Sequence, residues 1–128
     1  MTHEQIADEI SGAAEVTSWF GRWPAFHDAE ISKFQLIPDR CVVFSVYAWN
    51  MTSEVDEKGY YRNEKHADLE FRLEEVTAVN IVDLTEVGVL FGLDIRQEND
   101  TLSIILDASY GIHGTINCAR CSVNLKPR

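Results

Sequence analysis

The stretch HADLEFRLE, from His66 to Glu74, alternates apolar and polar residues along its whole length. A period of two is typical of a β-strand with one buried face and one wet face. We therefore predict a half-buried strand here. Its charged side chains would line the solvent side, where charge pairs form between neighbouring strands.

The preceding stretch CVVFSVYAW, from Cys41 to Trp49, is apolar at both odd and even positions. This pattern predicts a central strand covered on both sides, at the heart of the core. Turn-forming residues separate several further apolar segments. We predict strands in these segments at Ala29–Ile37, Val76–Leu84, Val87–Arg96, Thr101–Ser109 and Ile112–Leu125.

Residues 2 to 20 show helical spacing instead, and we expect a break at Gly12 and an end by about Phe20, before Gly21 and Pro24. The 128 residues fall within the size range of a single domain. We predict one mainly β (α+β) domain over residues 1–128. Its helical N-terminus (1–20) packs on an antiparallel sheet of about six to seven strands within residues 27–125.

The chain is strongly acidic, with a formal net charge of −10 and an isoelectric point near 4.7. Such a field repels nucleic acid and anionic membranes and attracts a basic partner. The acidity is uneven, because ten acids and four bases lie between Glu54 and Glu86. We therefore expect one end of the molecule to carry most of the negative electrostatic field. The plain alternative is that the charge serves solubility alone.

The N-terminal sequence MTHEQIADEI has neither the basic nor the apolar part of a secretion signal, which predicts a cytoplasmic protein. Its three cysteines are an odd number, which favours reduced thiols over a disulfide framework. Cys118 and Cys121 have a spacing found in zinc sites, but a second pair is missing. In a strand they would point to opposite faces unless the segment turns, so we expect core thiols.

His27, Asp28 and Glu30, in the sequence FHDAEI, form the densest cluster of ionisable side chains. A histidine beside carboxylates can perform acid–base catalysis or bind a metal. On a strand, however, Asp28 and Glu30 would share one face and His27 the other. The sequence offers no identifiable nucleophile to accompany them. We therefore predict no catalytic, metal-binding or cofactor-binding residues and expect the cluster to anchor the junction between helix and sheet.

The polar segment from Met51 to Glu64 predicts either a long exposed loop or a hairpin, and such segments often carry function. It combines two tyrosines with four carboxylates, a mixture that suits an interface anchor inside an acidic ring. A merely solvated loop is the alternative. The candidate partner-binding residues are Glu54, Asp56, Glu57, Tyr60, Tyr61 and Glu64.

Tryptophans and phenylalanines could form an aromatic ligand platform, but such rings more often pack in the core. We expect packing for Trp19, Phe20 and Trp49. Trp23 lies beside a turn and is left open between the two roles.

The segment WFGRWPAFHDAEI, from Trp19 to Ile31, resembles the signature of the immunity protein 50 family of bacterial polymorphic toxin systems. LEFRLEEV and VLFGLDI, later in the chain, match that family more loosely. The resemblance implies a cytoplasmic antidote that binds and blocks a toxin domain without a cofactor. The motif positions are Trp23, Pro24, Phe26, His27, Asp28 and Glu30.

Two other functions compete with toxin neutralisation. One is a small hydrolase or metal-dependent enzyme that uses His27, Asp28 and Glu30. The other is a structural oligomerisation module that pairs through exposed strand edges. The first would need its side chains to converge in a concave pocket, and the second would need an open edge.

Overall fold

The computed structural model describes residues 10–55, 61–83 and 88–128, and the side chains of these residues except 50–55, 61–64 and 109–110. One helix and eight strands follow one another along this part of the chain. They are α1 (Ala13–Phe20), β1 (Glu30–Ile37), β2 (Cys41–Val55), β3 (Tyr61–Glu74), β4 (Ala78–Val82), β5 (Val89–Glu98), β6 (Thr101–Tyr110), β7 (His113–Cys118) and β8 (Arg120–Pro127).

All eight strands belong to one antiparallel sheet in the order β4-β7-β6-β5-β1-β2-β3-β8. Its two four-stranded halves meet between β5 and β1, where a single residue pair, Glu30 with Val89, is in register. β7, the second strand in this order, and β8, the last, are separated in the chain only by Ala119. Strands so distant in the sheet can be so close in the chain only if the sheet curls back on itself.

The hydrophobic core draws side chains from both halves of the curled sheet. Phe44 and Phe71, from the β1-β2-β3-β8 half, are fully buried in one cluster with Leu90, Ile104 and Ile116 from the other half. Phe44 and Phe71 are register partners, and their rings stack at 4.9 Å between centroids. The core therefore lies between the two halves, and each half has an outer face turned to solvent.

The alternating stretch behaves as predicted, and the two-sided burial predicted for Cys41–Trp49 holds over the first part of that stretch. On β3 the alternation from His66 to Glu74 places Ala67, Leu69, Phe71 and Leu73 inside, all 0% exposed. On β2, Val43 and Ser45 are buried as well as the inward-facing Phe44. The central position of β2, between β1 and β3, accounts for this double burial.

The strand count differs from the prediction because the predicted strand Ile112–Leu125 is two strands. The chain leaves β7 at Ala119, whose amide donates to the carbonyl of Glu74 at 3.2 Å, and continues as β8. This corner turns both Cys118, opposite Leu102, and Cys121, opposite Leu73, toward the core. All three cysteines are buried and unbridged. The segment therefore makes the turn that was named as the exception to divergence, and the expectation of core thiols is confirmed.

Helix α1 begins directly after Gly12 and packs Ala13, Val16 and Phe20 into the core. Gly12 has a φ of 89°, and a Cβ placed there would lie 1.9 Å from the carbonyl oxygen of Val123 in β8. Glycine is therefore required for the close approach of the helix to the sheet. The predicted start of a helix after Gly12 is confirmed, whereas most of the helix predicted before it lies outside the described residues.

Candidate partner-binding site

The motif WPAFHD forms a loop that closes one side of the core. Phe26 is buried and meets Trp23 and Phe71 edge to face, with ring centroids 5.7 and 6.0 Å apart. Trp23 also meets Phe71, at 6.4 Å, so the three rings form one packed group. Edge-to-face pairs of this kind stabilise beyond the area they bury. Trp23, left open by the sequence, is therefore a packing residue.

The backbone of this loop is held in an uncommon conformation. Phe26 has a φ of 61° and Asp28 a φ of 66°, values that non-glycine residues seldom adopt. Three hydrogen bonds fix the turn: Ala29 donates to Phe26 at 3.2 Å, Asp28 to Leu90 at 2.8 Å and Leu90 to Ala29 at 2.9 Å. Strained residues persist only where the surroundings over-determine them. The backbone of the loop thus joins β1 to β5.

The turn also exposes two ionisable side chains of the motif. His27 is 62% exposed, and its Nδ1 lies 3.2 Å from a carboxylate oxygen of Asp28. The His27 ring stands 6.1 Å from that of Phe91, which is itself 54% exposed. Residues 27 and 28 are in a turn rather than a strand, so the face-sharing expected for Asp28 and Glu30 does not apply.

Glu30 belongs to a different neighbourhood, at the start of β1, opposite Tyr47 of β2. Within the described residues no group of three or more histidines, cysteines or acids is placed to hold a metal ion. A groove of about 360 Å³ lies beside the loop, between Arg22–Ala25 and Gly92–Asp94, but neither His27 nor Glu30 lines it. In the described part of the chain, this groove therefore does not bring together the three side chains of the enzyme hypothesis.

The outer face of β2 and β3 carries a cluster of three rings. Tyr47, Trp49 and His66 lie with centroids 5.0, 5.7 and 6.3 Å apart. The hydroxyl of Tyr47 and Nδ1 of His66 share a hydrogen bond. All three side chains are half-buried, so part of each ring meets solvent. Trp49 is not a member of the core cluster, and the packing expected for it is wrong.

Arg128 completes this cluster from the neighbouring strand end. Its guanidinium carbon lies 3.9 Å from the centre of the Tyr47 ring, a cation–π contact. The same guanidinium donates two hydrogen bonds to the carboxylate of Asp68, at 2.8 and 2.9 Å. These bonds raise the pKa of Arg128 further above its usual value. The cluster is thus held by stacking, a cation–π contact and a two-point charged pair.

The rings and the exposed motif residues share one side of the sheet. Register pairs run from Val89 through Glu30, Tyr47 and Asp68 to Lys126, across five neighbouring strands. Strands about 4.8 Å apart make this row roughly 19 Å wide. We call this surface the aromatic face, which is defined by His27, Glu30, Tyr47, Trp49, His66, Phe91 and Arg128.

Acidic side chains on β3 are neutralised by neighbouring bases. The amine of Lys33 lies 2.9 Å from Glu70, and its hydrogen bond lowers the pKa of that carboxyl. Glu74 lies 3.5 Å from Arg120, and Asp68 is paired with Arg128. These three acids of β3 therefore contribute little free negative field.

Three of the six candidate partner-binding residues of the sequence lie on the strands of the β2–β3 hairpin. Glu54, Tyr61 and Glu64 lie on its strands, where Val55 pairs with Tyr61 and Asn50 with Glu64, and their side chains are outside the description. Asp56, Glu57 and Tyr60 lie outside the described residues. The hairpin alternative is confirmed for the strand portions, and it is the same hairpin that carries Tyr47, Trp49 and His66.

Comparison with known proteins finds no matching family model, no significantly similar curated protein and no significantly similar solved structure. None of the helices in the described part of the chain is long and apolar enough to span a membrane.

Proposed function

We propose that this protein is a toxin-neutralising immunity protein that binds a basic toxin domain through the aromatic face and the adjoining β2–β3 hairpin. The observation that carries the proposal is the cluster of Tyr47, Trp49 and His66 on the solvent side of the sheet. Tyrosine, tryptophan and arginine dominate the energetics of protein interfaces. A ring cluster outside the core is therefore a natural anchor for another protein.

The anchor is pre-organised for binding. Tyr47 is held on one side by His66 and covered by Arg128, which Asp68 clamps in turn. Side chains that are already fixed lose little conformational freedom when a partner docks, so more of the contact energy appears as affinity. In this proposal the exposed pair of His27 and Asp28 contacts the partner at the other end of the face and performs no chemistry.

Charge supports a basic partner. The net charge of −10 would steer a cationic protein and raise its association rate. Because Asp68, Glu70 and Glu74 of β3 are paired with bases, the proposal assigns the steering charge to the acids of the segment from Met51 to Glu64, which are Glu54, Asp56, Glu57 and Glu64. The family resemblance of residues 19–31 supplies the partner class, a toxin domain met in the cytoplasm.

The experiment takes its partner from the genes that flank this one, where the proposal places a toxin domain. Co-expression is expected to rescue growth, and the purified proteins are expected to form a complex whose association slows with added salt. Reversing Glu54, Asp56, Glu57 and Glu64 to lysine changes the net charge from −10 to −2, because each reversal adds two positive units. This variant is expected to associate more slowly and with a flatter salt dependence.

A matched control carries the same overall charge elsewhere. Reversal of the exposed acids Asp39, Glu98, Asp100 and Asp107 also gives −2. If the hairpin acids steer the partner, the control retains the greater part of the association rate. Equal rates for the two variants would show that only the total charge matters, and no rescue or binding by the unchanged protein would refute the proposal.

A further inference from the structure

Strand β4 forms one end of the sheet and pairs only with β7, in five consecutive register pairs without a bulge. Its sequence AVNIV has no charged residue. Val79 and Val82 are 43% and 46% exposed, which is high for side chains of this type. An edge strand also presents unpaired N–H and C=O groups along its open side. β4 is thus an apolar, uncharged and regular edge.

The other open edges in the described part of the chain are protected. On β8 the carbonyl of Ser11 accepts from the amide of Val123 at 2.9 Å, and Pro127 ends the strand. On β1, beyond its contact with β5, a bulge follows Ile31 and Lys33 supplies a charge. On β5 the corresponding stretch Gly92–Glu98 contains three charged residues. Covers, bulges and charges are the devices that prevent strand-to-strand association. Among the described residues, none provides such protection to β4.

We propose that two copies of this protein associate through β4, strand against antiparallel strand, about a two-fold axis at Asn80. The strand is self-complementary in this arrangement, since Ala78 lies opposite Val82 and Val79 opposite Ile81, while Asn80 meets its own copy. Isologous contacts of this kind are the commonest in homo-oligomers. The pairing joins two sheets into one continuous sheet and covers the exposed valines.

Charge permits contact at this edge more readily than elsewhere. Two molecules of charge −10 repel each other overall, but β4 brings no charged side chains together. The acids nearest its ends already have partners, because Asp83 lies 3.6 Å from His113 and Glu75 lies 3.8 Å from Arg120. Added salt screens the overall repulsion, so the dimer strengthens with ionic strength. Binding of a basic partner has the opposite salt dependence.

The dimer is expected to be weak and dependent on concentration, because five residues per strand bury less area than a stable interface needs. Sedimentation equilibrium of the full chain over a range of protein concentrations, at low and high salt, gives its dissociation constant directly. The expected result is a monomer–dimer equilibrium that shifts toward dimer at high salt. A monomer under all conditions, or a dimer that dissociates as salt is added, would overturn the proposal.

A charge swap at the axis tests the register. Asn80 is exposed, so Asn80→Lys and Asn80→Glu should both fold, which circular dichroism verifies. Each variant alone places two like charges opposite each other and is expected to be monomeric. Mixing the two is expected to restore a heterodimer. Leu36→Lys, at an exposed apolar residue of β1, is the control and should leave the equilibrium unchanged. Failure of the mixture to associate, or equal loss in the control, would contradict pairing through β4.

Discussion

Comparing Phe26→Ala with Phe26→Gly separates two contributions of opposite sign at this residue, the packing of the buried ring and the strain of the backbone. Its buried ring contacts Trp23 and Phe71, so its removal is expected to lower the free energy of unfolding by about 3–5 kcal/mol. The φ of 61° costs a non-glycine residue about 1–2 kcal/mol, and glycine avoids that cost. The greater conformational freedom of glycine in the unfolded chain lowers stability by roughly 0.5–1 kcal/mol, which offsets part of this gain.

Phe26→Gly is therefore expected to be more stable than Phe26→Ala by on the order of 0.5–1 kcal/mol, the reverse of the usual order. Urea denaturation followed by tryptophan fluorescence measures both. Asp28→Gly against Asp28→Ala repeats the comparison at an exposed side chain, without the loss of a core ring. Ala29→Gly, at a buried residue without a positive φ, is the control and should lose stability. A glycine variant less stable than its alanine counterpart at both Phe26 and Asp28 would refute the strained-turn explanation.

Two further predictions concern the thiols and a surface ion pair. Burial raises the pKa of Cys118 to about 11 and that of Cys121 higher still, and Cys41 is buried too. Iodoacetamide at pH 8 should therefore label none of the three cysteines until urea unfolds the protein. Rapid labelling of the folded protein would contradict this prediction. Lys33→Met should lower stability at pH 7 by about 0.2–1 kcal/mol, since both side chains of the Lys33–Glu70 pair are partly exposed. The hydrogen bond from Lys33 lowers the pKa of Glu70 in the folded protein. The pair therefore contributes to stability above the pKa that Glu70 has in the unfolded chain, and this contribution is lost as the pH falls through the folded-state pKa. A stability difference between the unchanged protein and Lys33→Met that stays constant down to pH 2 would show that the charge pair is not its source.

Much of the sheet could be predicted because its pattern is local. Alternation along His66–Glu74 and the two-sided apolar run from Cys41 depend only on which face of a strand is buried. The corner at Ala119 could not be predicted in this way. It is set by long-range pairing, with β7 beside β6 and β8 beside β3, and no glycine or proline marks it in the sequence CARC.

The candidate site was only partly accessible from sequence. FHDAE stood out because its ionisable residues are adjacent, but Arg128 is brought over Tyr47 by the pairing of β8 with β3. A signal for Trp49 did exist. Trp49 is an even number of residues from Tyr47 and an odd number from the buried Phe44, so the alternation along a strand places its side chain on the outer face. Apolar character alone suggested the core instead.

The central claim is that the aromatic face binds the partner. Its most direct test is the dissociation constant of the neighbouring toxin domain for Trp49→Ser compared with Leu36→Ser. Both replace an apolar residue outside the core cluster, but only Trp49 belongs to the aromatic face. A hot-spot loss of about 2 kcal/mol corresponds to a roughly 30-fold weaker complex for Trp49→Ser, with less than about threefold change for Leu36→Ser. Equal affinities of the two variants would contradict the claim.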